Sequence, residues 1–380
     1  MARKSTARSR PSARPSAAVK PRSTGAVGIK DIALRLGTSI GTVDRALNGK
    51  PGINADTCAR VLAEARSLGY RPNLAARYLR SRRNVRISVH LPTSRSLFWD
   101  ALREGIREAA APLAPSLAVE FLPCVDAYGE PLLHSAATDD RHGLIIAQGH
   151  HPALAARVEE AARRNLAVAC VAGDVPDPRF ISVSADPFSI GALAGELVGR
   201  FVSRGADVAL VADSLTSAAH TARLRGFAST LTSVSPRSTL AAMIESHPDA
   251  GETHRRISAL LHAHPRLQGI CVTSADALSV LQAIEDERGR GGVEVVVTDL
   301  APELFEPIRA GRIAAAIYQR PLAQGRLALQ LLYQFLQEGA GLAATRRIVA
   351  PYAVMRSNLD LVLERLEIAR TASSAQKGIQ

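Results

Sequence analysis

The chain has 380 residues, 47% hydrophobic and 22% charged, with a formal net charge of +12, which fits a folded protein of two or three compact units. Four cysteines, Cys58, Cys124, Cys170 and Cys271, stand far apart without CxxC or CxxH spacing, which excludes a zinc knuckle or disulfide framework and fits a reducing compartment. The apolar runs, such as 166–172 and 293–297, fall far short of the roughly 20 residues of a membrane span, so a soluble protein is expected.

Residues 1–27 carry seven basic residues, no acid and many Ser, Pro and Ala. Such a segment cannot bury enough apolar surface to fold and is expected to be a disordered basic tail, attracted loosely to DNA phosphates. No apolar stretch follows its charges, so a secretory signal is not expected. Over 1–84 there are 18 basic and four acidic residues, a balance of +14, whereas 85–380 holds 29 and 31, a balance of −2. A basic head on a near-neutral body points to a polyanionic partner for the head.

From Gly28 onward, Ile29, Ile32, Ala33 and Leu36 fall at helical spacing, and Gly37 is a natural C-terminal cap. Ser39 stands where an N-cap belongs, ahead of a second helix over 40–48 with Val43, Ala46 and Leu47 on its core stripe. Asn54 caps a third helix whose core face is Val61, Leu62, Ala65 and Leu68, stopped by Gly69 and Pro72. Two short helices across a tight turn, braced by a third, predict a helix-turn-helix. Ile40, Gly41, Thr42, Asp44 and Arg45 lie off the core stripe of the second helix and would face a major groove.

From Val85 the pattern changes to strand and helix alternation. Buried parallel strands are predicted over 85–91, 118–123, 143–147, 167–171, 208–212, 269–273 and 293–298, with helices over 99–111, 152–164, 189–203 and 275–287. The body is too long for one doubly wound sheet, so two lobes with a cleft are expected, and ligands should bind beyond the carboxyl ends of the strands. No GxGxxG, GxxxxGK[ST], HExxH or GxSxG occurs, and the ten histidines lack ligand spacing. His150 and His151 are adjacent, and His262 and His264 lie beside the Pro265 turn. No nucleophile is paired with a base, so no catalytic residue, metal or cofactor is expected.

The run GIKDIALRLGTSIGTVDRALNGK from Gly28, with GYRPNLAARYLR from Gly69, resembles the DNA-binding headpiece of LacI-type bacterial transcription regulators. The resemblance implies a homodimer that reads a pseudo-palindromic operator in double-stranded DNA, each second helix lying in the major groove. By position, Ile40, Gly41 and Arg45 match base-reading residues, while Ser39, Thr42 and Asn48 match residues that touch the DNA backbone. Residues 72–80 resemble the family's hinge helix, in which Leu79 matches the minor-groove wedge, with Ala76, Arg77 and Arg80 packing and anchoring beside it. Two positions depart from the pattern: Asp44 replaces the usual Ser and Thr38 the usual Val.

The body resembles the periplasmic-binding-protein-like sensor domain of the same family, and ribose-type sugar-binding proteins as well. The matching pieces are Phe98-Trp99, Asp186 with Gly191, RLRGF from Arg223, TSAD from Thr273, Thr298-Asp299 and YQRP from Tyr318. They imply that Arg223, Asp299 and Gln319 line a sugar site, with Phe98 and Trp99 as the rings that cover it. Ala275 departs from the usual Asn, removing one amide.

The implied architecture is an all-α helix-turn-helix headpiece (28–71), a hinge helix and linker (72–84), a two-lobed α/β effector-binding and dimerisation domain with two doubly wound parallel sheets (85–359), and a tail (360–380). The implied function is a cytoplasmic, ligand-responsive DNA-binding regulator, a repressor, that senses a small sugar or sugar derivative and has no membrane association. The alternatives are a non-sugar metabolite or a protein partner as effector, or a solute-binding transport component. The apolar stripe over 359–370 is too short for a coiled coil by itself, so a dimer is expected and not a tetramer.

Overall fold

The computed structural model describes residues 28–47, 52–68, 85–92, 96–123, 141–147, 158–161, 163, 166–173, 180–212, 218–246, 249–273, 276–289, 291–338 and 346–366. The chain divides into two compact units, 1–72 and 73–380. The tail over 1–27, Asn48, the hinge residues Ala76, Arg77, Leu79 and Arg80, and Ala275 lie outside the described residues.

Local caps place the three helices of the first unit. These are α1 (Ile29–Leu36), α2 (Ile40–Leu47) and α3 (Ala55–Ser67). Gly28 N donates to Asp31 Oδ2 at 2.8 Å, and Gly37 ends α1 at φ 61°, a left-handed conformation that an added Cβ would strain. Ser39 Oγ accepts from Thr42 N at 3.0 Å and Asn54 Oδ1 from Thr57 N at 2.7 Å, satisfying donors that the first turns of α2 and α3 leave unpaired. The three stripes then meet in one small core around Ile32, Val43 and Val61, with Ala33, Ala46 and Ala65 beside them. Leu62, expected in this core, is 40% exposed. It follows Val61 by one residue, about 100° around the helix, and so leaves the buried stripe.

In the body, runs of Val, Ile and Ala form strands that are covered on both faces. The strands are β1 (Val85–Leu91), β2 (Leu117–Pro123), β3 (Gly143–Ala147), β4 (Ala167–Val171), β5 (Ile181–Ser184), β6 (Asp207–Ala212), β7 (Thr239–Glu245), β8 (Leu267–Val272), β9 (Glu294–Thr298), β10 (Ala315–Tyr318), β11 (Arg346–Ile348) and β12 (Tyr352–Val354). They form two six-stranded sheets, ordered β11-β5-β4-β3-β1-β2 and β12-β10-β9-β8-β6-β7. Every pairing is parallel except β10 with β12, so the second sheet has one antiparallel edge. The strands β3, β4 and β6 are buried throughout, as expected of a doubly wound sheet. In contrast, β2 alternates between buried and exposed positions because it is an edge strand, which corrects its expected burial.

The helices between the strands are α4 (Leu97–Ala110), α5 (Pro187–Phe201), α6 (Ala218–Val234), α7 (Ala250–Ala263), α8 (Ala277–Arg288), the short α9 (Phe305–Arg309) and α10 (Pro321–Glu338). Leu102, Ile106 and Ala109 of α4 and Ala328, Leu329 and Leu332 of α10 pack into the core of the first sheet. Ile190, Ala194 and Val198 of α5 and Phe227 of α6 pack into that of the second. The chain therefore changes sheet three times. It crosses at 185–186 between β5 and α5, at 319–320 between β10 and α10, and at 349–351 between β11 and β12. The first and third crossings are tied by Val349 N donating to Ser184 O at 2.9 Å and by the Arg346–Asp186 ion pair at 3.9 Å. Among the described residues no helix is long and apolar enough to cross a membrane.

Candidate functional site

Each unit presents one candidate surface. In the first unit, α2 buries Val43 and Ala46 and turns the opposite side outward. Ile40 is 49% exposed, Gly41 and Arg45 are exposed, and Thr42 and Asp44 are half-buried. Ser39 and Thr42 share a hydroxyl–hydroxyl hydrogen bond of 2.9 Å, which fixes both at the start of the helix. A Cβ added at Gly41 would lie 3.7 Å from Ser39 Oγ, an ordinary contact, so headpiece packing does not require glycine there. The surface offers a guanidinium, a branched apolar chain and small residues on one helical face, a set that can meet base edges.

In the body, all five residues expected at the effector site line one cavity of about 630 Å³. Phe98 and Trp99 come from the first turn of α4, where Ser96 Oγ accepts from Trp99 N at 3.3 Å, and their rings meet edge to face with centroids 4.9 Å apart. Arg223 comes from α6, whose backbone lies close against α5: a Cβ at Gly191 would fall 1.9 Å from Arg223 O. Asp299 and Gln319 follow the ends of the paired strands β9 and β10, and Gln319 Nε2 donates to Asp299 Oδ2 at 2.6 Å. These are the carboxyl ends of parallel strands, where a sheet of this kind leaves room for a ligand.

Backbone strain is concentrated here. Among the described residues the non-glycine positions with left-handed φ are Ala172 at 56°, Asp299 at 65° and Arg320 at 58°. The first two line the cavity and the third follows Gln319. Such conformations persist where the surroundings over-determine them, typically at functional sites. The support includes Asp299 N donating to Ile317 O at 2.9 Å, and the fully buried Gln324, whose Nε2 donates to Gln319 O at 2.8 Å.

Burial pushes the Asp299 carboxyl up to about 6, and the charge of Arg223 and the hydrogen bonding of Gln319 only partly oppose that rise. Its Oδ1 is buried without a hydrogen-bond partner among the described residues. The Tyr318 hydroxyl is likewise buried without such a partner. Burial, then Tyr352 and Asp299, push its phenol above the usual range. The Tyr318 ring stands edge-on to Tyr352 at 5.6 Å, and the Arg320 guanidinium lies 6.0 Å from the Tyr352 centroid.

Sequence reasoning missed part of this lining: Ser96, Asp100, Ala172, Thr273 and the turn 300–304 with Glu303. Position is the signal for two of them, since Ala172 and Thr273 directly follow β4 and β8 as Asp299 follows β9. Asp276 sits at the N-cap of α8, where its side chain accepts from Ser279 Oγ and makes no capping bond to the backbone. Asp186 does cap α5, through Ser189 N at 2.9 Å. His262 and His264 pair with Glu287 and Asp207 respectively, and no group of three metal-ligating side chains comes together among the described residues.

Comparison with known proteins matches each unit separately. Residues 28–73 match the model of bacterial regulatory proteins of the lacI family, and residues 87–340 match that of the periplasmic binding protein domain. The transcriptional regulator RegA of Clostridium saccharobutylicum is 39% identical over 85 residues, 22% of this chain and 26% of RegA. AglR of Rhizobium meliloti is 45% identical over 74 residues, 20% of this chain and 21% of AglR. The chain thus aligns with about a quarter of the length of these curated relatives.

Among solved structures, the glucose-galactose binding protein GanP of Geobacillus stearothermophilus superposes with a TM-score of 0.63 at 22% identity, covering 72% of this chain and 98% of GanP. A sugar-binding protein from Bacillus halodurans gives 0.66 at 19% identity, over 73% and 99% of the two chains. At that identity they establish the fold of the body. The chain belongs to the periplasmic binding protein domain family through its body and carries the headpiece of the lacI family of bacterial regulatory proteins.

Proposed function

We propose that the protein is a cytoplasmic transcriptional regulator, a repressor, that binds a pseudo-palindromic operator as a homodimer and responds to a small sugar-like effector held in the body cavity. The observation that carries this reading is the joining in one chain of an exposed recognition face on α2 and a cavity onto which Phe98, Trp99, Arg223, Asp299 and Gln319 converge. An arginine, a carboxylate and an amide supply donors and acceptors for hydroxyl groups, and two aromatic rings suit the C–H face of a sugar. The relatives that match the headpiece are regulators, and solved proteins that share the body's fold include a glucose-galactose binding protein and an arabinose binding protein.

In this reading Ile40, Gly41 and Arg45 meet bases, and Ser39, Thr42 and Asn48 meet phosphates. Ala76, Arg77, Leu79 and Arg80 form the hinge that enters the minor groove. Effector binding shifts the population between two arrangements of the body, and the difference in affinity sets how strongly DNA binding changes. In-vitro selection of random duplexes by the full-length protein tests the reading. Enrichment of a two-fold symmetric site whose retention changes with an added sugar is expected, and no enrichment, or a single asymmetric half-site, would count against it. A transport component would need the body alone and leaves the headpiece without a role.

A further inference from the structure

We infer that the cavity selects an effector without an anionic group, a neutral or amine-bearing polyol in preference to its phosphate ester or carboxylate. The inference rests on the body cavity being the effector site and names the charge class that site accepts.

Four observations carry it. Among the described lining residues Arg223 is the sole cation, against the carboxyl groups of Asp100, Asp299 and Glu303. The Arg223 charge also acts on Asp299, one of those three carboxyl groups, so a ligand anion would share it. The N-terminal end of α4, which opens onto the cavity and would otherwise attract an anion, carries Asp100 in its first turn, and its Trp99 amide is taken by Ser96. Arg103 bridges Asp100 at 3.1 Å, but it stands outside the lining.

The fourth observation is chemical. Asp299 Oδ1 is buried without a hydrogen-bond partner among the described residues, while Gln319 Nε2 is spent on Oδ2. An orphan carboxylate oxygen needs a donor, which a hydroxyl or an ammonium supplies and an ionised phosphate or carboxylate does not. An anion placed there would be desolvated beside like charge, with Arg223 alone, shared with Asp299, to offset it.

The test uses Trp99, the only tryptophan of the chain and part of the lining, as a fluorescent reporter in the full-length protein. Matched sets are titrated: D-glucose, D-glucosamine, glucose 6-phosphate and gluconate; D-ribose and ribose 5-phosphate; D-galactose and galacturonate. Where a set binds, its neutral or amine member is expected to bind at least about tenfold more tightly than its anionic member. Glu303→Gln combined with Asp100→Asn is expected to narrow that ratio. An anionic member that binds wild type as tightly as its neutral parent overturns the charge rule and leaves the cavity standing as an effector site. An unchanged ratio in the double variant overturns the assignment to these carboxylates. No response from any member, in fluorescence or in melting temperature, overturns the effector reading and the inference with it.

Discussion

Gln319 and Asp299 meet across neighbouring strand ends, with the amide Nε2 2.6 Å from one carboxylate oxygen while the other is buried without a hydrogen bond among the described residues. Burial makes the carboxyl harder to ionise in the folded protein, at about 6, than in the unfolded chain, where the ordinary value is 3.8, and the Gln319 hydrogen bond only partly opposes this. Below the unfolded value both states are protonated and the stability contribution is fully present; it is lost as pH rises through the folded value. Ligand-free protein should lose up to about 3 kcal/mol between roughly pH 4 and 6 from this group. Asp299→Asn should flatten that segment in urea unfolding followed from pH 4 to 7.5, and should abolish the response to effector while DNA binding persists. A wild-type and variant profile that run parallel would show that Asp299 ionises freely.

Arg45 is exposed on the outward face of α2, clear of the headpiece core. Arg45→Ala should leave the melting behaviour of the headpiece unchanged and cost about 1–3 kcal/mol of specific operator binding, the worth of one bidentate guanine contact. Weak binding to unrelated duplexes should fall only slightly. Equal losses on operator and random DNA, measured by anisotropy at one salt concentration, would assign Arg45 to phosphate instead.

Gly191 has no room for a methyl group, since a Cβ there would sit 1.9 Å from Arg223 O. Gly191→Ala must push α5 and α6 apart, at a cost of about 3 kcal/mol. It should also displace Arg223 from the cavity, so effector affinity should fall further than under a comparable destabilisation at a remote core site such as Ile257→Ala. Denaturation midpoints together with effector titration separate the two effects.

The Tyr318 hydroxyl is buried without a hydrogen-bond partner among the described residues. Tyr318→Phe keeps the ring against Tyr352 and removes a polar group that gains nothing from its surroundings. Stability should therefore change by less than about 1 kcal/mol or increase. A loss of 2 kcal/mol or more on chemical denaturation would reveal a partner for this hydroxyl outside the described residues.

The headpiece was legible because its signals are local. Gly37, Ser39 and Asn54 each act within four residues of themselves, and the caps they predict are the caps found. The long apolar strands were legible for the same reason. The short ones were not: β5, β10, β11 and β12 have three or four residues each, and their partners are remote, as when Arg346 pairs with Ser182; the seven-residue edge strand β7 was missed as well. Such strands are specified by the sheet they complete and not by their own pattern. The cavity divides the same way. Phe98, Trp99, Arg223, Asp299 and Gln319 could be named from the sequence, whereas Asp100 was missed and Ala172 carries no chemistry of its own, mattering only through the left-handed turn it makes after β4. Glu303 reaches the lining only because the chain turns back after Asp299.

The second crossing between the sheets consists of Gln319 and Arg320, and Gln319 is also a wall of the cavity. One short stretch of backbone thus serves as both a cavity wall and a link between the two sheets. In the proposed switch this link joins the two lobes that shift, so variants at 318–324 should show binding strength and switching amplitude drifting together. Evolution toward a new effector would find freer ground at Phe98, Trp99 or Glu303, which touch the cavity but carry no part of that link.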